Sequence, residues 1–394
     1  MKLLTFTSVF PNSVWPQRSM FNYHRLVHYS RIHGNSAIVV APVPYAPAWA
    51  PVNAYRCFSR VPRREVLGDI AVHHPRYPLI PKVSMMLHGW LMSQGSFNLV
   101  AGLHRQEAFD CIDSHYVYPD GFAAVRLGRR LGLPVMVNAL GTDINLFPSF
   151  RTIRPLILWT LRNATGIAGV SESLKVAMVR LGIPEQRIRV IANGVDTERF
   201  RPLDRNTARA ELGMRHDVQV IVAVGNLIPW KGFQLLVGAL AKLASEHPTV
   251  ETYIIGEGPY RPALQRLIDA SDLTAGVHLV GSRPNEELPA WYSAADLSCL
   301  PSAGEGQPNV VLESMACGTP VVGTRVGGTP ELITSPEFGI LIEREVDGLA
   351  AAIQEALTRN WDRGKIAAHA RKRSWADVAN EVDRRFREWC AAAK

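Results

Sequence analysis

The stretch SAGEGQPNVVLESMACGTPVVGTRVGGTPELI, residues 302–333, decides the fold class of this chain. Asn309 is placed to cap a helix that begins at Val310, and Gly318 marks the end of that helix. The apolar pair at 321–322 then predicts a buried strand, and a second glycine-rich turn precedes another helix. The order loop, helix, strand, loop, helix predicts an α/β domain.

Two carboxylates belong to this stretch. Glu305 lies in a glycine-rich turn, and Glu313 lies within the apolar run that follows. Glycine-rich turns at helix N-termini offer backbone N–H groups that suit phosphate and sugar oxygens. Carboxylates in turn accept hydrogen bonds from hydroxyl groups. The stretch therefore predicts a binding site for a nucleotide-linked sugar.

Short apolar strands alternate with helices along the rest of the chain. Residues 3–6 and 37–40 predict two parallel strands on either side of a helix, and the same alternation resumes after a charged segment at 201–217. Two such series predict an α/β protein with two Rossmann-like, doubly wound domains that face each other across a cleft. We expect a first domain over residues 1–200, a second over 201–373, and a final amphipathic helix over 374–394.

The composition is that of a globular protein. A length of 394 residues favours two domains, at about 150 residues for each domain. The net charge of +8 favours anionic partners without choosing among nucleotides, phospholipid headgroups and nucleic acid. Five scattered cysteines with no CxxC pair indicate reduced thiols in the cytosol and argue against a zinc site. With no secretory signal and no run of about 18 apolar residues, we expect a soluble, cytoplasmic protein.

Residues 78–92, PLIPKVSMMLHGWLM, have two interpretations. They mix apolar residues with Lys82 and His88, in a part of the chain that is basic and aromatic. They form either a buried helix preceded by a loop, or an interfacial segment that lies on an anionic membrane surface and presents a lipid-linked acceptor. The sequence leaves both interpretations open.

A second phosphate-binding segment, GNLIPWKGF at 225–233, directly follows a predicted strand. Lys231 opens the helix after it, so its ammonium group and the positive end of the helix dipole would act together on a diphosphate. The alternative is a surface lysine at a turn, which GEGP at 256–259 and the opening stretch make less favourable. GEGP does not begin a dinucleotide fingerprint, because Arg261 occupies the position of the third glycine.

Motifs of other enzyme classes are absent from the sequence. There is no Asp-x-Asp pair to hold a divalent ion on a sugar nucleotide, so a lysine and helix N-termini would stabilise a leaving diphosphate in place of a metal. There is no nucleophile elbow, zinc-protease motif or Walker loop, and the adjacent pair His73 and His74 point apart. Polar residues also fall at the C-terminal ends of predicted strands in the first domain, where α/β proteins bind ligands: His115, Thr142 and Asp143.

Together these motifs resemble those of one family. The sequence resembles glycosyltransferase family 4, a large retaining family with the GT-B fold, over essentially the whole chain. The resemblance is carried by Glu305 and Glu313 with seven residues between them, and by GNLIPWKG, IIGEGP, VHLVGSRPNEELPAWYSAADL and NGVDTERF. FPN near the start, HPRYPLIP, HYVYPDG and GTDIN resemble members that act in bacterial surface-polysaccharide assembly.

The resemblance implies roles for the matching residues. Glu313 resembles the glutamate that holds the ribose hydroxyls, Glu305 the one near the hydroxyls of the donor sugar, and Lys231 the lysine on the diphosphate. It also implies that the final helix returns to the first domain. The expected donor-binding residues are Asn226, Lys231, Gly256, Glu257, Ser282, Arg283, Glu305, Gly306, Gln307, Pro308, Asn309, Val310 and Glu313. The expected catalytic residues are Lys231, Glu305, His115 and Asp143, and the expected acceptor-side or closing-loop residues are Arg18, Ser19 and Thr142.

Three positions depart from the family pattern. Asn226 occupies the place of an arginine that contacts the diphosphate, and Arg18 or Arg325 is the candidate to replace it. The first loop reads Gln17-Arg18-Ser19 where the family is usually glycine-rich. Leu140 replaces a histidine that usually bonds the donor sugar. The sequence leaves open whether these changes reduce or redirect the activity.

We therefore expect a retaining, metal-independent glycosyltransferase of the hexosyltransferase class that needs no cofactor. It would move a sugar from a nucleotide-diphosphate donor, with a UDP-sugar favoured, to a lipid-linked or polysaccharide acceptor in cell-surface glycan synthesis. The inner face of the plasma membrane is the expected place of action. Two alternatives remain, a sugar-nucleotide epimerase on the same fold and a catalytically weak nucleotide-sugar-binding protein. Nucleic acid is not an expected partner, because the basic residues are spread along the chain.

Overall fold

The computed structural model describes residues 1–45, 53–79, 85–244 and 250–393. The chain divides into two compact units, Met1–Asn193 with Trp375–Lys394, and Gly194–Ser374. The first unit ends before the predicted boundary at residue 200, because Val195 and Phe200 pack into the core of the second unit. Val195 also forms a parallel β-bridge with Ser374, which joins the two ends of the second unit.

The first unit contains an eight-stranded sheet and a separate two-stranded ribbon. Its strands are β1 (Lys2–Phe6), β2 (Ser36–Val40), β3 (Val43–Tyr45), β4 (Arg64–Leu67), β5 (Ile70–His73), β6 (Arg76–Pro78), β7 (Cys111–His115), β8 (Val135–Ala139), β9 (Gly166–Gly169) and β10 (Ile188–Val190). The sheet has the order β10-β9-β8-β7-β1-β2-β5-β4, with β4 antiparallel to β5 and the other pairs parallel. β8 is buried at every position, as expected of a parallel strand that is covered on both faces.

Helices connect these strands, and two of them show a cap that the sequence provides. They are α1 (Met20–Ser30), α2 (Asn53–Arg60), α3 (His88–Glu107), α4 (Phe122–Leu131), α5 (Thr142–Asn145), α6 (Arg154–Asn163) and α7 (Glu172–Arg180). Ser171 caps α7 by accepting a hydrogen bond from the backbone N–H of Leu174 at 3.3 Å. α4 is followed by Gly132, whose φ of 70° is a left-handed conformation that glycine adopts without steric cost.

The second unit contains a six-stranded sheet in which all the pairs are parallel. Its strands are β11 (Gln219–Val224), β12 (Val250–Ile255), β13 (Val277–Gly281), β14 (Leu297–Leu300), β15 (Val321–Thr324) and β16 (Gly339–Ile342), in the order β13-β12-β11-β14-β15-β16. Its helices are α8 (Arg205–Glu211), α9 (Phe233–Leu243), α10 (Arg261–Ala270), α11 (Leu288–Ala294), α12 (Asn309–Ala316), α13 (Thr329–Leu332), α14 (Val346–Thr358) and α15 (Arg363–Ala370). Two hydrophobic clusters share the side chains of this sheet, as in a doubly wound domain.

Helix α12, in the stretch 302–333, begins one residue earlier than predicted. It starts at Asn309, so Pro308 occupies the cap position and no side chain caps the helix. Gly318 follows its last turn with a φ of 81°, as the sequence indicated. The predicted order of loop, helix, strand, loop and helix is confirmed, since β15 and α13 follow in turn.

The C-terminal helix belongs to the first unit, as predicted. α16 (Trp375–Ala392) packs along α1. Its apolar side shares a buried cluster with Leu3 of β1 and Tyr29 of α1, and the residues that it contributes are Trp375, Val378, Ala379, Val382 and Phe386. This cluster ties the end of the chain to its beginning.

The structure describes residues 78–79 and 85–92 of the predicted segment 78–92. Residues 80–84, including Lys82, lie outside the described residues. The rest of the segment forms the end of β6, a 3₁₀ turn at Met85–Leu87 and the beginning of α3. Four of its side chains are between 42% and 55% exposed: Met85, Met86, Leu87 and Trp90. In the part of the chain that the structure describes, no helix is both long enough and apolar enough to cross a membrane.

Candidate active site

Lys231 and Glu305 meet in the second unit. The Nζ atom of Lys231 lies 2.7 Å from Oε1 of Glu305, and the two side chains are 21% and 10% exposed. Lys231 ends the 3₁₀ turn Pro229–Lys231 that follows β11, and Glu305 lies in the loop after β14. The sequence predicted both residues at the donor, and the structure brings them into direct contact.

This contact lies at the topological switch point of the six-stranded sheet. β11 and β14 are neighbours, with β12 on the far side of β11 and β15 on the far side of β14. Because the chain leaves the two strands in opposite directions, the loops at their C-terminal ends diverge and form the crevice in which α/β domains bind ligands. The position of Lys231 and Glu305 is therefore that of a ligand-binding site.

Close backbone contacts hold the loops of this site together. Gly232 has a φ of 75°, and a Cβ atom there would lie 1.9 Å from the carbonyl oxygen of Pro301. The indole Nε1 of Trp230 donates a hydrogen bond to the carbonyl oxygen of Gly304 at 2.7 Å. The backbone N–H of Ala303 donates to the carbonyl oxygen of Trp230 at 2.8 Å. A side chain at position 232 would force these loops apart.

The two glycine-rich turns of the stretch 302–333 also touch each other. Gly327 has a φ of 53°, and a Cβ atom there would lie 1.9 Å from the carbonyl oxygen of Glu305. The backbone N–H of Gly328 donates to the carbonyl oxygen of Gly306 at 3.0 Å. The second turn therefore supports the backbone that carries Glu305.

Glu313 lies on α12, in an enclosed position. The hydroxyl of Tyr292 donates to its Oε2 at 3.4 Å. Burial raises the pKa of Glu313 to about 7, and Tyr292 and the charge of Arg199 offset only part of that effect. Additional hydroxyl donors would stabilise the ionised carboxylate, so this position suits the hydroxyls of a ribose.

The other predicted donor-binding residues share one edge of the same sheet. Residues 306–310 form the turn into α12 and its first residues. The residues directly after β11, β12 and β13 are Asn226, Gly256, Glu257, Ser282 and Arg283. Glu257 forms an ion pair with Arg261 at 2.9 Å, and Arg283 forms one with Glu287 at 3.8 Å. No cluster of three or more His, Cys, Asp or Glu side chains suited to a metal ion occurs within the described residues.

In the first unit, Asp143 holds the turn after β8. It is fully buried and accepts hydrogen bonds from the backbone N–H groups of Gly141 at 2.8 Å, Val117 at 2.9 Å and Leu140 at 3.1 Å. Burial raises its pKa, and these bonds oppose that effect. The predicted catalytic role does not fit this placement, because both carboxylate oxygens are bonded to the backbone.

His115 is buried in an ionic network. Its Nε2 lies 3.0 Å from Oδ2 of Asp113. The other carboxylate oxygen, Oδ1, accepts a hydrogen bond from Asn138 at 2.8 Å and lies 3.5 Å from Arg25. Burial alone would raise the pKa of Asp113, but His115 and Arg25 outweigh it and lower that pKa to about 2. The network joins α1 to β7 and β8. The predicted catalytic role of His115 does not fit, because its ring points into the unit together with Asp113, two residues earlier on the same face of β7.

One buried carboxylate near these residues, Asp120, was not among the predicted site residues. Asp120 lies in the π-type turn Val117–Gly121 after β7, is fully buried, and accepts hydrogen bonds from the backbone N–H and the hydroxyl of Ser8. Burial raises its pKa to about 7, against the bonds from Ser8 and the charge of Arg18. The sequence contained one indication of this residue, namely a carboxylate shortly after a predicted strand. Pro119-Asp120-Gly121 was instead interpreted as the start of a helix.

The predicted acceptor-side residues lie in two loops of the first unit. Arg18 and Ser19 belong to the loop between β1 and α1, where Ser19 has a left-handed φ of 51°. This is a conformation that glycine adopts readily and other residues adopt at a cost of about 1–2 kcal/mol. Thr142 is the first residue of α5, is exposed, and forms a hydrogen bond with the hydroxyl of Tyr116.

Comparison with known proteins decides the family. A family model described as Glycosyltransferase Family 4 matches residues 20–199, and one described as Glycosyl transferases group 1 matches residues 218–359. A D-inositol 3-phosphate glycosyltransferase of Rhodococcus erythropolis is 31% identical over 317 residues, which are 73% of this chain and 71% of that relative. The chain belongs to glycosyltransferase family 4.

Two further comparisons cover nearly the whole of this family 4 chain. TuaC of Bacillus subtilis, a glycosyltransferase named for teichuronic acid biosynthesis, is 27% identical over 369 residues, 90% of this chain and 88% of TuaC. Anabaena HepE, in a crystal structure with UDP and glucose, has a TM-score of 0.76 at 21% identity and covers 98% of this chain and 100% of HepE. The predicted fold, two Rossmann-like domains of the GT-B type, is confirmed.

The departures from the family 4 pattern have structural counterparts. Asn226 is exposed after β11. Arg325, a candidate to replace the missing arginine, lies 3.6 Å from Glu343. Leu140 packs against the hydrophobic core of the first unit, so its side chain serves packing and its backbone N–H bonds Asp143.

Proposed function

We propose that this family 4 glycosyltransferase transfers a hexose, with retention of configuration, from a nucleotide-diphosphate donor to a lipid-linked or polysaccharide acceptor in cell-surface glycan synthesis. The observation that carries the proposal is the contact of Lys231 with Glu305 at the switch point of the second unit. A cation suited to a diphosphate and a carboxylate suited to sugar hydroxyls lie within hydrogen-bond distance there. Glu313 on α12 adds an acceptor for the ribose.

Lys231 stabilises the leaving diphosphate in this proposal. When the donor binds, its phosphate oxygens compete with Glu305 for the ammonium group, and Glu305 becomes available to the sugar hydroxyls. Because the sequence contains no Asp-x-Asp pair, we assign the stabilisation to Lys231 and backbone N–H groups in place of a divalent ion. No cofactor takes part in the proposed reaction.

The transfer takes place on one face of the sugar. The acceptor oxygen bonds to C1 on the face from which the diphosphate leaves, the bond from C1 to the phosphate oxygen breaks, and the acceptor proton passes to a phosphate oxygen of the leaving group. This route requires no protein base. It is supported by the first unit, where His115 and Asp143 are held by internal hydrogen bonds.

A UDP-sugar is the proposed donor. Support comes from HepE, which has the same fold and was crystallised with UDP and glucose. Ser282 and Arg283, directly after β13, lie at the sheet edge that carries the remaining donor residues. Their backbone is the proposed contact of the base.

An anionic membrane surface is the proposed location of the acceptor. Residues 85–90, at the start of α3, include four large apolar side chains that are between 42% and 55% exposed. Two arginines of α4 lie against the next turns of α3. Arg126 lies 3.4 Å from the hydroxyl of Ser93, and Arg130 lies 3.4 Å from the centroid of the Phe97 ring. α4 contains no acidic residue. Exposed apolar residues beside arginines on a helix without acidic residues suit a bilayer interface with anionic headgroups.

Flotation with lipid vesicles tests this surface. Vesicles of phosphatidylcholine, with and without about a third of phosphatidylglycerol, are compared at low and high salt, since salt screens attraction to headgroups. We expect salt-sensitive binding to the anionic vesicles alone, weakened in the variant Arg126→Gln/Arg130→Gln. The control variant Arg215→Gln/Arg261→Gln, in the second unit, should float like the wild type. Equal flotation with both vesicle types would overturn this part of the proposal.

A donor screen tests the reaction. The enzyme is incubated with UDP-, GDP- and ADP-sugars, with and without chelator and a membrane lipid extract, and nucleotide release is followed. We expect release of UDP that a chelator does not stop, and NMR of the product should show the anomeric configuration of the donor. No release with any donor would sink the transferase assignment. Recovery of an altered sugar that is still attached to an intact nucleotide would indicate an epimerase. Saturable binding of the donor without nucleotide release would indicate a weak binding protein. Strict dependence on an added metal would overturn the mechanism.

A further inference from the structure

The first unit contains a cavity of about 360 Å³ that none of the donor residues lines. Its size falls within the range of about 300–1,000 Å³ that is typical of small-molecule sites. The cavity lies beside the loop between β1 and α1, and Arg18 lines it together with four aromatic side chains, Phe10, Trp15, Phe58 and Tyr77. This combination of a cation with flat apolar rings suits a ligand that has both an anionic group and an apolar face.

Arg18 brings to the cavity a positive charge that its described neighbours compensate only in part. Within the described residues its guanidinium forms no hydrogen bond and no ion pair, and it lies 5.8 Å from the centroid of the Trp15 ring. Burial lowers the pKa of Arg18, with the charge of Asp120 acting against that effect. Asp120 is itself occupied by Ser8 and has a pKa raised to about 7 by burial, so it compensates the arginine only in part. An anion in the cavity would supply the missing compensation.

The wall that carries Arg18 is held in place by its own hydrogen bonds. The side-chain oxygen of Asn12 accepts from the backbone N–H groups of Val14 at 3.0 Å and Trp15 at 2.9 Å. The backbone N–H of Arg18 donates to the carbonyl oxygen of Trp15 at 3.2 Å. The ring of Trp15 packs edge-on against Phe58, with 5.2 Å between the ring centroids. The loop therefore presents Trp15 and Arg18 as a preformed pair, which lowers the entropic cost of binding a ligand.

The histidines that line the cavity are already bonded. His74 contacts the carbonyl oxygen of Ala41 at 2.9 Å and Glu65 at 2.7 Å. His88 lies 2.7 Å from the hydroxyl of Tyr77, and burial lowers its pKa to about 4, so it is neutral at physiological pH. Among the lining residues that the structure describes, Arg18 is therefore the one that offers charged hydrogen-bond donors to a ligand.

We infer that this cavity binds an anionic sugar of the acceptor, with its ring against Trp15 and its phosphate or carboxylate on Arg18. The inference rests on the proposed function and specifies its acceptor. A guanidinium matches the two oxygens of a phosphate or carboxylate, and aromatic faces bury the apolar face of a sugar ring. The donor residues proposed above all belong to the second unit, so we assign an anion site in the first unit to the acceptor.

Binding of matched probes tests the inference without any donor present. The probes are octyl glucoside, galactoside and mannoside below their micelle concentrations, each neutral and as its 6-phosphate, together with octyl glucuronide. Dissociation constants are measured by calorimetry for the wild type, Arg18→Gln, Arg18→Lys and the control Arg31→Gln, an exposed arginine at the end of α1. Thermal unfolding establishes that each variant is folded.

In the wild type and in Arg31→Gln we expect at least one anionic probe to bind roughly tenfold more tightly than its neutral partner, the factor that one charge-assisted hydrogen bond provides. Arg18→Gln should remove this preference, and Arg18→Lys should keep part of it. A stronger preference for phosphate or for carboxylate identifies the anion. The absence of any anionic preference, or its persistence in folded Arg18→Gln, would overturn the inference. Because no donor is used, failure of the donor screen would not change this result.

Discussion

The ammonium group of Lys231 donates a hydrogen bond of 2.7 Å to the carboxylate of Glu305 across 74 positions of sequence. Because the two groups bond each other, binding of a donor replaces the bond between Lys231 and Glu305 with two bonds to the donor. One runs from Lys231 to a phosphate oxygen, and the other from a sugar hydroxyl to Glu305. The pair therefore keeps both side chains at the switch point and also sets up a competition that substitutions can reveal.

Lys231→Ala should lower turnover by about 10²–10³-fold without unfolding the protein. The charge that stabilises the leaving diphosphate is lost, and removal of one such group from an active site costs about 10²–10³-fold in rate. Its matched control is Lys242→Ala, because Lys242 forms an ion pair with Asp347 at an exposed position of the same unit. The measurement is kcat/KM for the donor together with the melting temperature. Activity within twofold of the wild type in Lys231→Ala would remove the diphosphate assignment.

Glu305→Gln should separate nucleotide binding from transfer. The uncharged amide competes less well for Lys231, so the affinity for UDP should stay equal or rise a few-fold, while turnover of the UDP-sugar should fall by about 10²-fold because a contact to the sugar is weakened. Calorimetry with UDP and steady-state kinetics measure the two effects. A large loss of UDP affinity would show that Glu305 supports the nucleotide and does not compete with it.

Gly232→Ala should destabilise the second unit and inactivate the enzyme. The new Cβ would lie 1.9 Å from the carbonyl oxygen of Pro301, in addition to the left-handed φ of 75°. We expect a loss of about 3 kcal/mol in the free energy of unfolding from the two effects together. Gly213→Ala is the control, since Gly213 has a similar φ of 67° and nothing within 4 Å of a Cβ atom. Equal losses in urea unfolding would mean that the contact with Pro301 contributes nothing.

The sheet-edge position of Lys231 and Glu305 could be predicted from the sequence because its signal is local. Lys231, Glu305 and the glycine-rich turns each lie in the segment that follows a strand, and parallel strands place their C-terminal ends at one edge. The same rule failed for His115 and Asp143. Both follow or end a strand in the first unit, yet both are fully buried and engaged. Position along the chain does not reveal whether a polar side chain at a strand end points outward.

What decides that direction is a partner far away in sequence. Asp113 and His115 face inward because Arg25 of α1 and Asn138 of β8 complete their network, and no local pattern links these residues. The pairing of Asp120 with Ser8 is hidden for the same reason, since 112 positions separate them. The fold was predictable because apolar periodicity is a local signal, whereas polar networks depend on the tertiary arrangement.

Asp120→Asn should flatten the pH dependence of stability. The pKa of the buried carboxyl is raised from 3.8 to about 7, so the folded state binds more protons than the unfolded state between these values, and stability falls as pH rises through that window. Across the whole window the difference corresponds to on the order of 4 kcal/mol. Urea unfolding at pH 5 and pH 8 measures the change. The wild type should lose more stability than Asp120→Asn over this range, and identical losses would contradict the buried, proton-binding role of Asp120.

Glu313 should make donor binding depend on pH. Burial raises its pKa to about 7, so the carboxyl is largely protonated at pH 6 and ionised at pH 8. The ionised form accepts hydroxyl hydrogen bonds more strongly, and UDP should therefore bind more tightly as pH rises, by up to about tenfold. The diphosphate of UDP also titrates in this range, so the informative quantity is the difference between the wild type and Glu313→Gln. Glu313→Gln should bind UDP as weakly as the protonated wild type does, and it should retain only the pH dependence of the nucleotide. Parallel pH profiles for the two proteins would exclude Glu313 from the ribose contact.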